Sequence, residues 1–243
     1  LGLIGMGYSL VLLAGLKDAP STRAKENPVP VSPQTSFWDA FSALFKNKGY
    51  LLALLSWSLL GIVGWLVVGW LPTYFKEHFS LSQTTAGLYA TGYLYPFSLV
   101  GVVVGGALAD RWSRRNVRSR MLVPAIGMLI AAPFIFVAGS THVVIVAIIC
   151  FLVYAFTRMF TDANMMPILC LVVDEQHRAT AYGILNLFSC IVGGLGLYAG
   201  GLLRDASVNF SLIFQSGAIL LLACAVSLFL IRPKHDAELV SKS

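Results

Sequence analysis

Six long apolar stretches alternate with short polar segments over most of this 243-residue chain. They lie at roughly 50–75, 87–109, 120–138, 143–173, 180–203 and 208–231. Each is close to the length of about 20 residues that a helix needs to cross a bilayer. The pattern predicts an all-α membrane protein, with a six-transmembrane-helix bundle at 50–231.

The flanking segments have a different character. Residues 1–16 are apolar but too short to span a membrane, which predicts the end of a preceding transmembrane helix. Residues 17–49 are polar and hold four prolines, as linkers do. Within this linker Ser36 to Phe45 (SFWDAFSALF) carries aromatic residues at helical spacing, which predicts a short amphipathic helix on the membrane surface. Residues 232–243 form a predicted polar tail. Because the chain starts without Met inside an apolar run, we expect it to be the tail part of a longer protein.

Composition supports a membrane protein. Hydrophobic residues make up 57% of the chain and charged residues only 12%, with a mean hydropathy of +0.78. Soluble domains are about one quarter charged. The net charge of +6 does not indicate nucleic-acid binding, because the basic residues cluster in alternate loops. The four cysteines fall in apolar runs without paired spacing, so we expect packing residues and no metal site or cofactor.

The distribution of basic residues predicts the orientation. Fourteen of the 17 Lys and Arg residues fall in the linker, alternate loops and tail, whereas the other loops hold only Lys76 and Arg204. Loops rich in Lys and Arg stay in the cytoplasm. We therefore expect a multi-pass protein of the plasma (inner) membrane, or of an organelle membrane in a eukaryote, with the linker and C-terminus cytoplasmic.

The fourth apolar stretch contains two opposite charges near its middle. Arg158 and Asp162 are four residues apart, which places them on one helix face within pairing distance. Tyr154 extends the same stripe by one turn. Charged groups at this depth cost at least about 2.5–3.5 kcal/mol each and usually face a bundle interior or a water-filled cavity. The stripe indicates a substrate or ion pathway, and the alternative is a structural pair that joins two helices.

Other polar side chains in the spans are weaker candidates for ligand contact. Tyr89 and Tyr93 share a helical face of the second span and could donate hydrogen bonds to a ligand or form a structural belt. Asn186 in the fifth span could contact a ligand or join two helices. Trp57 and Trp65 in the first span fit core packing and cavity lining equally well.

Several positions predict how the helices pack and end. Small residues recur every four positions at Gly101 and Gly105 and again at Gly196 and Gly200, a spacing that lets helices approach closely. In the first span, we expect Pro72 to end or bend the helix. Two neighbouring aromatic residues, Trp70 and Tyr74, are expected to anchor the helix at the membrane interface.

The loop after the second span reads GGALADRWSRR. This resembles the signature loop of the major facilitator superfamily, Gly-x-Leu-Ala-Asp-Arg-x-Gly-Arg-Arg, with Ser113 in place of the second glycine. The matching gating-motif residues are Gly106, Leu108, Ala109, Asp110, Arg111, Arg114 and Arg115. Asp110 is expected to cap a helix end near basic side chains. The resemblance implies that this cluster latches neighbouring helices when the cytoplasmic side is closed, and that breaking it favours opening.

The resemblance covers nearly the whole chain. Residues 178–183 look like the entry to the family's eleventh helix, so the six spans correspond to helices seven to twelve, the C-terminal half of the fold. Residues 70–76 (WLPTYFK) and 81–87 (LSQTTAG) resemble the anion:cation symporter and organophosphate antiporter branches. Their substrates are organic anions such as sugar acids, which would suit Arg158.

The resemblance implies a secondary active transporter that works by alternating access. Its partners would be a small organic solute, a coupling proton, the lipid bilayer and an N-terminal six-helix half. The alternatives are a drug or neutral-sugar carrier of the same fold, or a half-transporter that acts as a membrane subunit. An enzyme is not expected, because the sequence has no phosphate-binding glycine loop, metal-ligand spacing or nucleophile motif.

Overall fold

The computed structural model describes residues 37–231 and, ahead of them, Ser9, Val11 and Gly15. The predicted helix end at 1–16, apart from those three residues, lies outside the described part, as do linker residues 17–36 and the tail at 232–243. The helices of residues 37–231 are α1 (Phe37–Lys46), α2 (Lys48–His78), α3 (Gln83–Ser113), α4 (Ser119–Ser140), α5 (Val144–Val172), α6 (Arg178–Asp205) and α7 (Phe210–Leu230).

Six of these helices, α2 to α7, are long and apolar enough to cross a membrane. They coincide with the six predicted stretches to within a few residues, and the prediction of a six-helix bundle is confirmed. The short α1 forms one residue later than predicted. Its Ala40 and Leu44 are buried, while Trp38 is 72% exposed, so the helix is amphipathic as its sequence indicates.

A single side chain fixes the junction between α1 and α2. The Asn47 Oδ1 atom accepts hydrogen bonds from the backbone N–H groups of Gly49 (2.9 Å) and Tyr50 (3.2 Å), which caps α2. Its Nδ2 atom donates to the carbonyl oxygen of Val172 at 2.6 Å. The start of α2 is thereby held to the end of α5. We call this end of the bundle, where the linker enters, the linker side.

The six spanning helices pack unevenly. Helix α4 packs against α5 and α7, α2 packs against α6 and α7, and α3 packs mainly against α5. The most apolar window of α3 and that of α6 are each only 22% buried, compared with 44–56% for the other four. Helices α3 and α6 therefore present broad apolar faces that the described part of the chain does not cover.

Glycines sit where these helices cross most closely. A Cβ atom on Gly101 would collide with the backbone carbonyl of Phe156, and one on Gly105 would lie 2.6 Å from the Phe160 ring, both on α5. On the other side of the bundle, a Cβ on Gly196 would lie 2.7 Å from Ile62 of α2. The predicted packing role of the two glycine pairs is confirmed.

Two expectations concern the far end of α2. The helix does not end at Pro72 but continues to His78, as membrane helices can when neighbouring groups satisfy the freed backbone, and a bend at Pro72 stays a prediction. The expected anchoring role of Tyr74 is wrong, because its side chain is fully buried inside the bundle and cannot reach the lipid headgroups. Its hydroxyl donates to the carbonyl oxygen of Ala138 at 2.7 Å, and its ring packs against Phe151 and Phe214. These partners come from distant segments, which position within a span does not reveal.

Candidate functional site

Arg158 and Asp162 form an ion pair in the middle of α5. The Arg158 Nη1 atom lies 3.1 Å from the Asp162 Oδ2 atom, as the four-residue spacing predicts. Arg158 is 14 residues from each end of α5, so it lies about 21 Å from either end. The other two ion pairs of the described residues, Asp110–Arg120 and Glu77–Arg204, lie near helix ends. Of these three pairs, Arg158–Asp162 alone places charge near the centre of the bundle.

A cavity of about 260 Å³ adjoins this pair and is bounded by four helices. Helix α5 contributes Tyr154, Arg158 and Met159, and α6 contributes Ser189. Helix α2 contributes glycines and Trp65, and α3 contributes Tyr95 and Ser98. Asp162 lies one turn further along α5, outside the cavity wall, and reaches the site through its bond to Arg158.

A glycine of α2 makes room for the guanidinium. A Cβ atom on Gly64 would lie 2.8 Å from the Arg158 Nη2 atom, which is too close for an alanine without movement of the arginine. The Arg158 side chain therefore extends from α5 to the backbone of α2. The Arg158 side chain is 19% exposed and the Asp162 side chain 36% exposed, so both are partly accessible from outside the described bundle.

Two buried polar atoms of this site have no hydrogen-bond partner among the described residues. They are the Tyr154 hydroxyl and the Arg158 Nε atom. Tyr154 is only 2% exposed. A buried polar group left unpaired costs about 1–3 kcal/mol. This conformation of the site thus leaves hydrogen-bonding capacity unused beside the cavity.

The predicted tyrosines of α3 lie elsewhere. Tyr89 packs against Phe75, with ring centroids 6.0 Å apart, and Tyr93 packs against Tyr89 at 5.8 Å. Neither residue lines the cavity. Both belong to a π-helical segment, Leu88–Tyr93, whose turn holds about one residue more than an α-turn. This offset turns Tyr95 and Ser98 toward the cavity.

Asn186 does not line the cavity either. Its Nδ2 atom donates to the carbonyl oxygen of Tyr182 on the same helix at 3.2 Å. Ser189, less than one turn further on, takes the position at the wall, close to Gly61. Among the tryptophans left open by the sequence, Trp57 is buried in the core, whereas Trp65 lines the cavity.

Sequence reasoning thus missed several cavity residues, among them Gly64, Tyr95, Ser98 and Ser189. One usable signal was the pair Gly61 and Gly64 in the first span, because small residues spaced by three also permit close approach. The serines carried no signal of their own, since serine occurs on packed and open helix faces alike.

An ion pair joins α3 to α4 across the loop between them. The Asp110 carboxylate lies 2.9 Å from Nη2 of Arg120, in the first turn of α4. The expected capping role is wrong, because the hydrogen bonds of the described residues include none from a backbone N–H to the Asp110 carboxylate, which instead bridges the two helices. The ion pairs of the described residues do not include the exposed side chains of Arg111, Arg114 and Arg115. A Cβ atom on Gly106 would meet only the Cβ of Ala163, at 3.9 Å.

Comparison with known proteins shows which family this chain resembles. The sequence profile described as the Major Facilitator Superfamily matches residues 1–196. The chain is 22% identical over 224 residues to a probable L-galactonate transporter of Escherichia coli, covering 90% of this chain and 48% of that protein. It is 28% identical over 182 residues to a probable sulfoacetate transporter of Cupriavidus necator, covering 72% and 40%.

A sphingosine-1-phosphate transporter of Mus musculus is 30% identical over 221 residues, with 84% of this chain and 39% of that protein covered. The chain spans about half the length of the curated relatives it matches. Among solved structures, a bacterial homologue of the human lysosomal transporter spinster, in an inward-facing and unoccupied conformation, superposes with a TM-score of 0.58 at 18% identity. The superposition covers 95% of this chain and 55% of that one.

The fold, the loop motif and the profile match all indicate the same family of membrane proteins. These relatives are transporters, not enzymes. The described residues form a multi-pass membrane bundle, and the profile covers more than three quarters of the chain. The chain belongs to the Major Facilitator Superfamily.

Proposed function

We propose that this chain is half of a secondary active transporter that moves a small organic anion by proton-coupled alternating access. The observation that carries the proposal is the Arg158–Asp162 pair, which lies at mid-depth beside a cavity bounded by four helices. A guanidinium binds carboxylate, sulfonate or phosphate groups through two parallel hydrogen bonds. An anion that competes with Asp162 for Arg158 would link binding to a change in the site.

The names of the relatives support an anionic substrate. Three of the matched relatives are named for L-galactonate, sulfoacetate and sphingosine-1-phosphate, whereas the spinster homologues among them carry no substrate in their names. These compounds differ greatly in size and polarity, but each carries a carboxylate, sulfonate or phosphate. Uptake into proteoliposomes, with organic anions and neutral sugars as competitors, tests this choice. Inhibition by neutral sugars and drugs but by no anion would refute it in favour of another carrier of the same fold.

The second half of the transport pathway would come from another six-helix bundle. The poorly buried faces of α3 and α6 flank the cavity, and covering them would enclose it. The half-length coverage of the relatives fits this arrangement. The basic loops favour a cytoplasmic linker and C-terminus in the plasma (inner) membrane. If this orientation holds, antibodies should reach epitope tags at Ser36 and Ser243 in intact cells only after the membrane is permeabilised.

We expect Asp162→Asn to remove the dependence of uptake on pH. A proton on Asp162 would release Arg158 for the substrate, so uptake by the unaltered protein should rise as the outside pH falls. The neutral amide neither holds the guanidinium by charge nor takes up the proton. Concentrative uptake should fall by at least about tenfold, while substrate exchange without a proton gradient persists.

The control for this experiment is Asp39→Asn, which removes an exposed carboxylate from α1. It should leave both the rate and its pH profile unchanged. Uptake by Asp162→Asn that follows the same pH profile as the unaltered protein would exclude Asp162 as the coupling residue.

The Asp110–Arg120 pair is proposed to latch the linker side of the bundle. The pair is exposed, so Asp110→Asn should change the free energy of unfolding by less than about 1 kcal/mol. It should nevertheless favour the state open toward the linker side. The reporter is Met166, a 44% exposed residue six positions before the linker-side end of α5. The measurement is the rate of maleimide labelling of Met166→Cys, in a background without the four native cysteines, and we expect that rate to rise.

Arg120→Gln should raise the labelling rate in the same way, because it breaks the same pair. Arg114→Gln is the matched control, since it removes a charge of the motif that forms no ion pair in the described part. If all three variants label at the rate of the unaltered protein, Asp110 is not a latch.

A further inference from the structure

We infer that the cavity takes an anion whose charged group is joined to an apolar body, with the charged group bound by the Tyr154 hydroxyl and Arg158. The inference rests on the proposed function and narrows its substrate class. It separates a small apolar or aromatic acid from a polyhydroxylated sugar acid, although both are organic anions.

The first observation is the pair of unsatisfied donors. The Tyr154 hydroxyl and the Arg158 Nε atom are both buried, and within residues 37–231 neither finds a hydrogen-bond partner. Buried donors are normally paired, so these two have hydrogen-bonding capacity that a ligand in the cavity could use. Both residues line the same cavity. The partner that suits an N–H of a guanidinium and a phenol O–H together is an anionic oxygen.

The second observation is how the donors are covered. In this conformation the two donor atoms are inaccessible, and Nη1 of Arg158 is bound to Asp162. A ligand oxygen reaches them when the guanidinium moves away from Asp162. The absence of a Cβ atom on Gly64 leaves the space beside α2 that the Nη2 atom occupies. Binding of the charged group therefore requires that Asp162 release the guanidinium.

The third observation is the rest of the wall. Trp65 is 46% exposed and Tyr95 57% exposed, and Val68 beside them is 50% exposed. Besides Tyr154 and Arg158, the polar side-chain groups of this wall are the hydroxyls of Tyr95, Ser98 and Ser189 and the indole N–H of Trp65, and most of the remaining lining is apolar. A sugar acid would place several hydroxyls against apolar surface and leave them without partners. An aromatic or aliphatic body would instead bury apolar area against the two rings.

The part of the cavity that α2, α3, α5 and α6 bound has room for a small body. Its volume is about 260 Å³ before the proposed second bundle encloses it, and ligand pockets typically measure about 300–1,000 Å³. Phenylacetate is therefore a suitable probe. Phenylacetamide has the same shape without the charge, and gluconate has the charge on a polyhydroxylated body.

The test is calorimetric titration of the complete transporter with these three compounds. We expect phenylacetate to bind at least about tenfold more tightly than either gluconate or phenylacetamide. Equal or tighter binding of gluconate overturns the inference but leaves the organic-anion function standing. Tighter binding of phenylacetamide than of both acids overturns the inference and the proposed function together. Failure of phenylacetate to bind overturns the inference, whatever the other two do.

Tyr154→Phe tests the donor directly. It keeps the ring that fills the buried position and removes only the hydroxyl, so we expect normal folding and about 10- to 100-fold weaker phenylacetate binding. Phenylacetamide binding should change much less, and this selective loss is a readout that a packing defect would not produce. Tyr89→Phe, outside the cavity, is the matched control. An unchanged ratio of acid to amide affinity in Tyr154→Phe excludes the hydroxyl as a ligand for the charged group.

Discussion

Arg158→Ala is expected to reduce uptake to the background level. Removing one member of a buried, hydrogen-bonded charge pair costs about 2–5 kcal/mol, or about 30- to 5,000-fold in affinity, and this pair, 19% and 36% exposed, should fall toward the lower end. The variant also leaves the Asp162 carboxylate at mid-depth without its cation. Arg158→Lys should fail to restore uptake, because an ammonium lacks the planar fork that binds an anionic group through two hydrogen bonds.

The measurement is uptake by purified protein in proteoliposomes, with the folded fraction determined by size-exclusion chromatography. Arg118→Ala is the matched control, since it removes an exposed arginine that donates a hydrogen bond to the backbone carbonyl of Phe229, far from the cavity wall. The double variant Arg158→Gln with Asp162→Asn removes both charges and should fold while remaining inactive. Normal uptake by the single variants and the double variant would leave the pair without a role in transport.

Gly101→Leu is expected to prevent correct assembly of the bundle. Even a Cβ atom at this position would collide with the Phe156 carbonyl, and the obstruction is backbone that cannot move to another rotamer. Overpacking of a core usually costs about 1–3 kcal/mol. We expect Gly101→Ala to reach the upper end of that range, and the larger leucine to separate α3 from α5 altogether. Thermal unfolding and membrane yield measure the two effects.

Two other glycines provide controls of the same chemical change. A Cβ atom on Gly194 would meet no described atom within 4 Å, and one on Gly106 would meet only Ala163, at 3.9 Å. Gly194→Ala and Gly106→Ala should be neutral or slightly stabilising, because alanine favours a helix by about 1 kcal/mol over glycine. If Gly101→Ala unfolds at the same temperature as these controls, the close approach of α3 and α5 does not hold the bundle together.

The features that were predicted correctly depend on residues close together in the chain. The spans follow from continuous apolar length, and the Arg158–Asp162 contact follows from a four-residue spacing within one helix. The amphipathic α1 follows from its own periodicity. Each of these properties is established within a single helix, so the sequence alone contains the information.

The features that were missed depend on how helices rotate against one another. Ser98 and Ser189 reach the cavity, while Tyr89, Tyr93 and Asn186 do not, although all five are polar residues in apolar spans. A π-helical segment in α3 offsets the following residues around the axis. Tyr74 was expected at the interface but is enclosed by aromatic side chains from other helices.

The sequence by itself determined that this chain forms six membrane-spanning helices of one superfamily, with a charge pair in the middle of the fourth. It could do so because the bilayer imposes length and polarity on each helix separately. Only the tertiary structure decided which side chains share the cavity with Arg158. The set of lining residues depends on how each helix is rotated about its axis and on close contacts such as that of Gly64 with the Arg158 guanidinium. Both are established only when separate helices pack together.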